Sequence, residues 1–306
     1  MKQLRTFRLL VVCIMMFCNL NLFADGLITE QVVVNVEEAG TLSTKISSVD
    51  KYRITDLKII GKLNVSDFDF IYTMTKGADK NLNALDLGDV ELVADEEHDM
   101  EMPRIVFSKC ICLTSLVLPK RMTSIGVQAF LGCVGLTSLV LPESLTSVGV
   151  DAFWGCSGLT SLVLPESLIV IGNYAFRNSG LTSITFLSSS ITIRLNSFSG
   201  CNNLHSLYLT SKEYVDVIGL GKSGFSKDCV VYVPKGMLQT YKSSIWGTYF
   251  KEIVEYDATG IDDVSISSTA KPLSRYSVNG QRLTSPTKGL NIVKYSDGSV
   301  RKEMVK

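Results

Sequence analysis

One phrase, written four times with small edits, constrains this chain more than any other feature. Phe107, Phe130, Phe153 and Phe176 stand 23 residues apart, and Phe198 follows after 22. The two cleanest copies, Phe130 to Pro142 and Phe153 to Pro165, share the frame F-x-G-C-x-G-L-T-S-L-V-L-P. A period in this range marks a chain of stacked coils, none of which can bury its own apolar face. The expected fold class is therefore a mainly β (α+β) solenoid of repeats about 23 residues long.

Each column of the repeat has a physical task. Leu113, Leu136, Leu159, Leu181 and Leu204 form one column. Leu116, Leu139, Leu162, Ile184 and Leu207 form a second, and Leu118, Leu141, Leu164, Phe186 and Leu209 a third. The L-x-L spacing points alternate side chains the same way, which is a short strand with one buried face. Pro119, Pro142 and Pro165 end that strand, because proline cannot donate to a ladder. Ile125-Gly126, Val148-Gly149 and Ile171-Gly172 read as a turn back across the coil. The pairs Ala129-Phe130, Ala152-Phe153 and Ala175-Phe176 are expected to fill its interior from the opposite side.

The pattern L-x-x-L-x-L-P…I-G…A-F-x-x-C resembles the BspA-like subclass of bacterial leucine-rich repeats over residues 82–256. The fourth copy departs from it, with Phe186-Leu187 for Leu-Pro and Arg194 for the glycine, as suits a copy near the end of an array. The resemblance implies a binding module rather than an enzyme. Its expected partners are proteins, of a host matrix or of other bacteria, with a surface glycan as the alternative.

Taken in order, the chain divides as follows. Residues 1–24 place Lys2, Arg5 and Arg8 before the apolar run Leu9 to Phe17, which reads as a secretory signal peptide. Its removal leaves 27 basic against 30 acidic residues, so general attraction to nucleic acid or anionic membrane is not expected. No later run is long and apolar enough to span a bilayer. Residues 25–81 read as an N-terminal cap, with Val32–Val36 as a strand and a short helix carrying Phe68, Phe70, Ile71 and Met74 begun by Ser66-Asp67. The array runs over 82–210, and its acidic insertion at 94–101 matches no calcium-loop spacing, so a solvated loop is expected. Residues 211–256 read as the closing cap, and 257–272, rich in Ser, Asp and Thr, as a linker.

The tail, 273–306, carries Asn279-Gly280, a strong hairpin signal, and a second turn at Ser296-Asp297-Gly298. It resembles the C-terminal domain that directs proteins to type IX secretion in anaerobic Gram-negative bacteria, although Asn291 stands where relatives carry an aromatic residue. Sorting domain and small structural β-module both remain open. With the signal peptide, the resemblance implies secretion to the cell surface or outer membrane of a Gram-negative bacterium.

Motif chemistry is sparse. Cys110, Cys133, Cys156 and Cys201 share a column with Ser179, and are expected to be free, packed thiols, while Cys110-Ile-Cys112 lacks the spacing of a redox or zinc site. His98 and His205 lie in no nucleophile motif, and no phosphate loop or dinucleotide fingerprint is present. No catalytic residue, cofactor or metal is therefore expected. What remains is a surface: between the buried leucines, Val117, Val140, Val163, Thr185, Tyr208 and Tyr232 point outward in one column, beside Ser115, Ser138, Ser161, Ser183 and Ser206. That stripe is the candidate binding site, with aromatic anchors at one end. The rival reading is a structural scaffold of the cell envelope.

Overall fold

The computed structural model describes residues 26–76, 80–93, 106–211 and 213–256, and mainly the backbone at 101–102, 272–277, 282–283, 285, 289–295 and 300–305. The signal peptide, His98 with the acidic insertion, the expected turns of the tail and nearly all of the linker lie outside these residues.

Parallel stacking is the organising rule. Within two sheets each repeat lays its L-x-L strand directly on the strand of the previous copy: Leu116 faces Leu139 in one, and Leu162 faces Ile184 and Ile184 faces Leu207 in the other. The strands Val32–Val36, Asp56–Leu63, Ala84–Leu92, Ser115–Val117 and Ser138–Val140 make one five-stranded sheet. Ser161–Leu164, Ser183–Phe186, Ser206–Leu209, Val230–Pro234 and Glu252–Tyr256 make another. The same columns thus extend from the array into segments read as caps, through Leu57 and Leu85 on one side and Val231 and Ile253 on the other.

The Ile-Gly and Val-Gly steps differ from the turn expected of them. Ser124–Ile125, Ser147–Val148 and Val170–Ile171 are two-residue strands in a six-stranded parallel sheet that also holds Glu101–Met102, Ser190–Ile193 and Asp216–Ile218. In a stacked coil any extended segment finds its own copy one repeat away, so even two residues suffice to pair. The glycines that follow are needed for close approach rather than for a turn. A Cβ on Gly149 would lie 2.8 Å from the carbonyl carbon of Gly126, and one on Gly172 would lie 2.7 Å from that of Gly149.

The third side of each coil is held by the phenylalanines. Phe107, Phe130, Phe153, Phe176 and Phe198 stack ring on ring with centroids 4.9–5.3 Å apart and planes within 9°. Near-parallel planes at these separations place the rings in offset stacking, which adds about 0.5–1.5 kcal/mol per pair to the burial itself. Phe225, outside the regular period, closes the spine at 4.2 Å from Phe198. Beside it runs the thiol column. Cys133 Sγ donates to the Phe107 carbonyl at 2.7 Å, Cys156 to Phe130 at 3.1 Å and Cys201 to Phe176 at 3.0 Å. All six described cysteines are free, and Cys229, not foreseen as part of this buried row, donates to Leu204 at 3.0 Å.

Both ends of the stack are covered. The helix Val65–Thr75 buries Phe68, Ile71 and Met74, and its cap is Asn64 rather than the expected Ser66-Asp67. Asp67 serves instead inside the first turn. At 1% exposure its carboxylate accepts from the backbone N–H groups of Gly40 (2.6 Å), Leu42 (2.9 Å) and Asn64 (3.0 Å). At the other end the helices Leu238–Lys242 and Ile245–Tyr249 carry Tyr241 and Trp246, both fully buried. Tyr241 Oη accepts from Val215 N at 2.8 Å and Trp246 Nε1 donates to Val215 O at 3.0 Å, so these aromatics are lid packing. The tail forms a separate antiparallel sheet of Pro272–Ser277, Arg282–Leu283, Gly289–Tyr295 and Val300–Val305. Among the described residues no helix is long and apolar enough to cross a membrane.

Candidate functional site

The pleat decides which side chains remain available. Along Ser161–Leu164 the burial alternates, leucines in, Ser161 and Val163 half-buried, and Ser183–Phe186 repeats the pattern. Strand register then aligns the outward residues within each of two sheets, with Val140 and Val163 on the edge strands where one sheet ends and the next begins. Val117 faces Val140, Val163 faces Thr185, Thr185 faces Tyr208, and Tyr208 faces Tyr232. Val140, Val163, Thr185, Tyr208 and Tyr232 are all half-buried, as an outward strand position beside its neighbours should be.

Val117 departs from the stripe. It is only 6% exposed, and a Cβ on Gly88 would lie 3.2 Å from its Cγ1. The longer strand Ala84–Leu92 of the preceding coil continues past Val117 and covers it. The candidate surface therefore begins at Val140. Ser206 departs in the same way from the serine column, being buried, with its Oγ 2.9 Å from Nδ1 of His205.

The register adds residues that the repeat pattern did not reveal. On the N-terminal side the column continues through Asp86 and Lys58. There Lys58 Nζ meets Asp86 at 3.1 Å and Asp89 at 2.7 Å, while Lys120 Nζ meets the other oxygen of Asp89 at 2.7 Å. The hydrogen bonds from Lys120 and Lys58 hold the Asp89 carboxyl below its usual range. On the C-terminal side Val254 faces Tyr232 and is 36% exposed. Tyr208 and Tyr232 stack at 4.7 Å with planes 13° apart, and Tyr256 meets Tyr208 edge-on at 6.3 Å and 88°. Burial pushes the Tyr208 hydroxyl up and that of Tyr256 up to about 12, so both stay protonated at physiological pH, and Tyr256 Oη is buried with no partner among the described residues. The column as a whole is thus graded, ionic beyond the buried Val117, aliphatic in the middle and aromatic at the other end, and the accessible stripe comprises the last two parts.

Such an arrangement can offer shape, apolar contact and phenolic hydrogen bonds. Among the described residues no group of three or more His, Cys, Asp or Glu side chains is placed to hold a metal ion.

Residues 101–227 match the family model described as BspA type Leucine rich repeat region, in six copies. The array is a leucine-rich repeat solenoid. Among solved structures it is similar to a T. pallidum leucine rich repeat protein, at 22% identity and a TM-score of 0.37, covering 65% of this chain and 78% of that one. A leucine-rich repeat protein from Bacteroides ovatus is 18% identical with a TM-score of 0.30, over 74% of this chain and 69% of that one. The pneumococcal vaccine antigen PcpA is 17% identical with a TM-score of 0.40, over 74% and 68%. No curated protein sequence matches the chain.

Proposed function

We propose that this protein is a non-enzymatic, adhesin-like binding module of the bacterial cell surface, and that it engages a protein partner through the stripe Val140, Val163, Thr185, Tyr208 and Tyr232. The observation that carries the reading is the stacked pair Tyr208 and Tyr232 in register with Val254 and edge-on to Tyr256. Tyrosines held rigid by neighbours lose little side-chain entropy on binding, and they supply apolar area together with a hydroxyl. Extended solenoid surfaces are commonly used in this way.

The test uses the full chain, with Tyr208→Ala and Tyr232→Ala variants, against a panel of immobilised matrix proteins and surface glycans. Saturable capture of one protein, weakened about tenfold or more by either variant while the melting temperature is kept, supports the reading; a tenfold loss corresponds to about 1.4 kcal/mol. Capture unaffected by both variants removes the stripe from the function. If intact cells protect the protein from added protease and no partner is captured, the envelope scaffold takes its place.

A further inference from the structure

The copies differ from one another most visibly at one corner of the third and fourth coils. Leu131, Trp154, Arg177 and Ser199 occupy one column: the N–H of Lys109, Gly132, Gly155 and Asn178 donates to their respective carbonyls. Leucine and serine satisfy the coil there, so stacking alone requires neither Trp154 nor Arg177. A second column at the same corner holds Gln128, Asp151, Tyr174 and Asn196, all in the left-handed region with φ between 53° and 57°. Asn and Asp tolerate that conformation, whereas a tyrosine there is strained.

These departures meet in space. The Arg177 guanidinium lies over the Trp154 ring at 5.1 Å and over the Tyr174 ring at 5.4 Å. All three side chains are half-buried. Among the described residues Arg177 has no carboxylate partner within salt-bridge distance, so its guanidinium is positioned by two rings and left with its N–H fork unused. Ordering a long cationic side chain costs entropy, which a clamp of this kind removes before any ligand arrives.

We infer that Trp154, Tyr174 and Arg177 form a second binding site, separate from the strand stripe, for a carboxylate side chain on an acidic segment of a protein partner. A planar fork fixed in one orientation suits bidentate capture of a carboxylate, at about twice the strength of a neutral hydrogen bond. One face of each ring is already turned to the guanidinium, which leaves less room for a sugar ring to stack and favours the aliphatic stems of peptide side chains. Trp, Tyr and Arg are also the residue types that dominate protein interfaces energetically.

The probe is a short fluorescein-labelled peptide of alternating glutamate and leucine, titrated with the full chain at low ionic strength and read by anisotropy. The peptide with glutamine in place of glutamate, and polygalacturonate as a carboxylated glycan, are run beside it. Arg177→Ser, Trp154→Leu and Tyr174→Asn borrow residues from sister coils and so preserve the fold. The acidic peptide is expected to bind, the glutamine peptide to bind about tenfold more weakly, and Arg177→Ser to lose a similar factor. Tyr174→Asn is expected to weaken binding while raising the melting temperature, two movements in opposite directions that a merely structural tyrosine does not produce. Binding insensitive to Arg177→Ser overturns the inference, as does Arg177-dependent capture of polygalacturonate without capture of the peptide.

Discussion

Cys110 Sγ lies 3.0 Å from Thr75 Oγ1, a contact that joins the first rung of the buried thiol column to the last turn of the capping helix. Both residues are buried, and Thr75 Oγ1 in turn donates to the Ile71 carbonyl at 3.2 Å. Thr75→Val keeps the volume but leaves the Cys110 thiol facing a methyl group. The expected cost is about 1 kcal/mol in urea unfolding, the usual net worth of one buried hydrogen bond. An unchanged midpoint would show that packing alone couples the cap to the array.

Asp67 should matter more. Removing its carboxylate by Asp67→Ala leaves three backbone N–H groups, those of Gly40, Leu42 and Asn64, without their acceptor. Buried unsatisfied donors cost about 1–3 kcal/mol each, and partial access to water limits the total. A loss of at least about 2 kcal/mol is expected, with the cap segment becoming the first part of the chain to exchange its amide hydrogens.

Two glycines in one chain offer a contrast. Gly172→Ala introduces a methyl group 2.7 Å from the Gly149 backbone and should push neighbouring coils apart, at a cost of about 2 kcal/mol or more. Gly221→Ala meets nothing within 4 Å and should be neutral or slightly stabilising. Melting temperatures of the two variants, measured side by side, check the claim that the Ile-Gly column exists for coil contact.

Asp151 combines a left-handed backbone, φ 55°, with a buried Oδ1 that has no partner among the described residues. Asp151→Gly removes both penalties and loses only the 3.3 Å bond from Gln128 Nε2. A gain of about 1 kcal/mol is expected in the same unfolding assay.

The thiol column predicts a pH dependence. Burial pushes Cys156 up to about 12 and Cys229 up to about 11; burial also raises Cys201, and the neighbouring Cys110 thiol, followed by burial, raises Cys133. The neighbouring Cys133 thiol in turn lowers Cys110, so four thiols move up against one that moves down. A thiol whose folded pKa lies above its unfolded value ionises more readily when unfolded. Its contribution to stability is therefore complete below about pH 8.5 and declines as pH rises through the folded values. Denaturant midpoints should fall from about pH 9 upward, and in the native protein at about pH 8 half-buried Cys112 should react with iodoacetamide before the buried thiols do. Equal labelling of all six would contradict the buried column.

Much of this architecture was legible because a repeat records its own stacking. The leucine columns, the phenylalanine spine as far as Phe198 and the proline-terminated strands all follow from spacing, since a coil can bury its apolar residues only against its neighbours. Local signals also located the strands of the opening segment and the aromatic lid around Trp246. Phe225, by contrast, sits 27 residues after Phe198, outside any period, and the helix cap at Asn64 was masked by the equally suitable Ser66-Asp67 two residues later.

By itself the sequence determined that the chain stacks and which residues point inward, because those properties depend on alternation and period alone. Only the tertiary structure decided which outward residues stay accessible. Val117 and Ser206 occupy positions equivalent to their neighbours in the repeat, yet both are buried, Val117 because the preceding strand is longer than its copies. Arg177 is one cation among thirty in the sequence, and its place between two rings arises from adding the residues of separate coils at a common corner. Accessibility and cross-coil contact depend on what lies one turn away in space, and a one-dimensional pattern carries that only where every copy is the same.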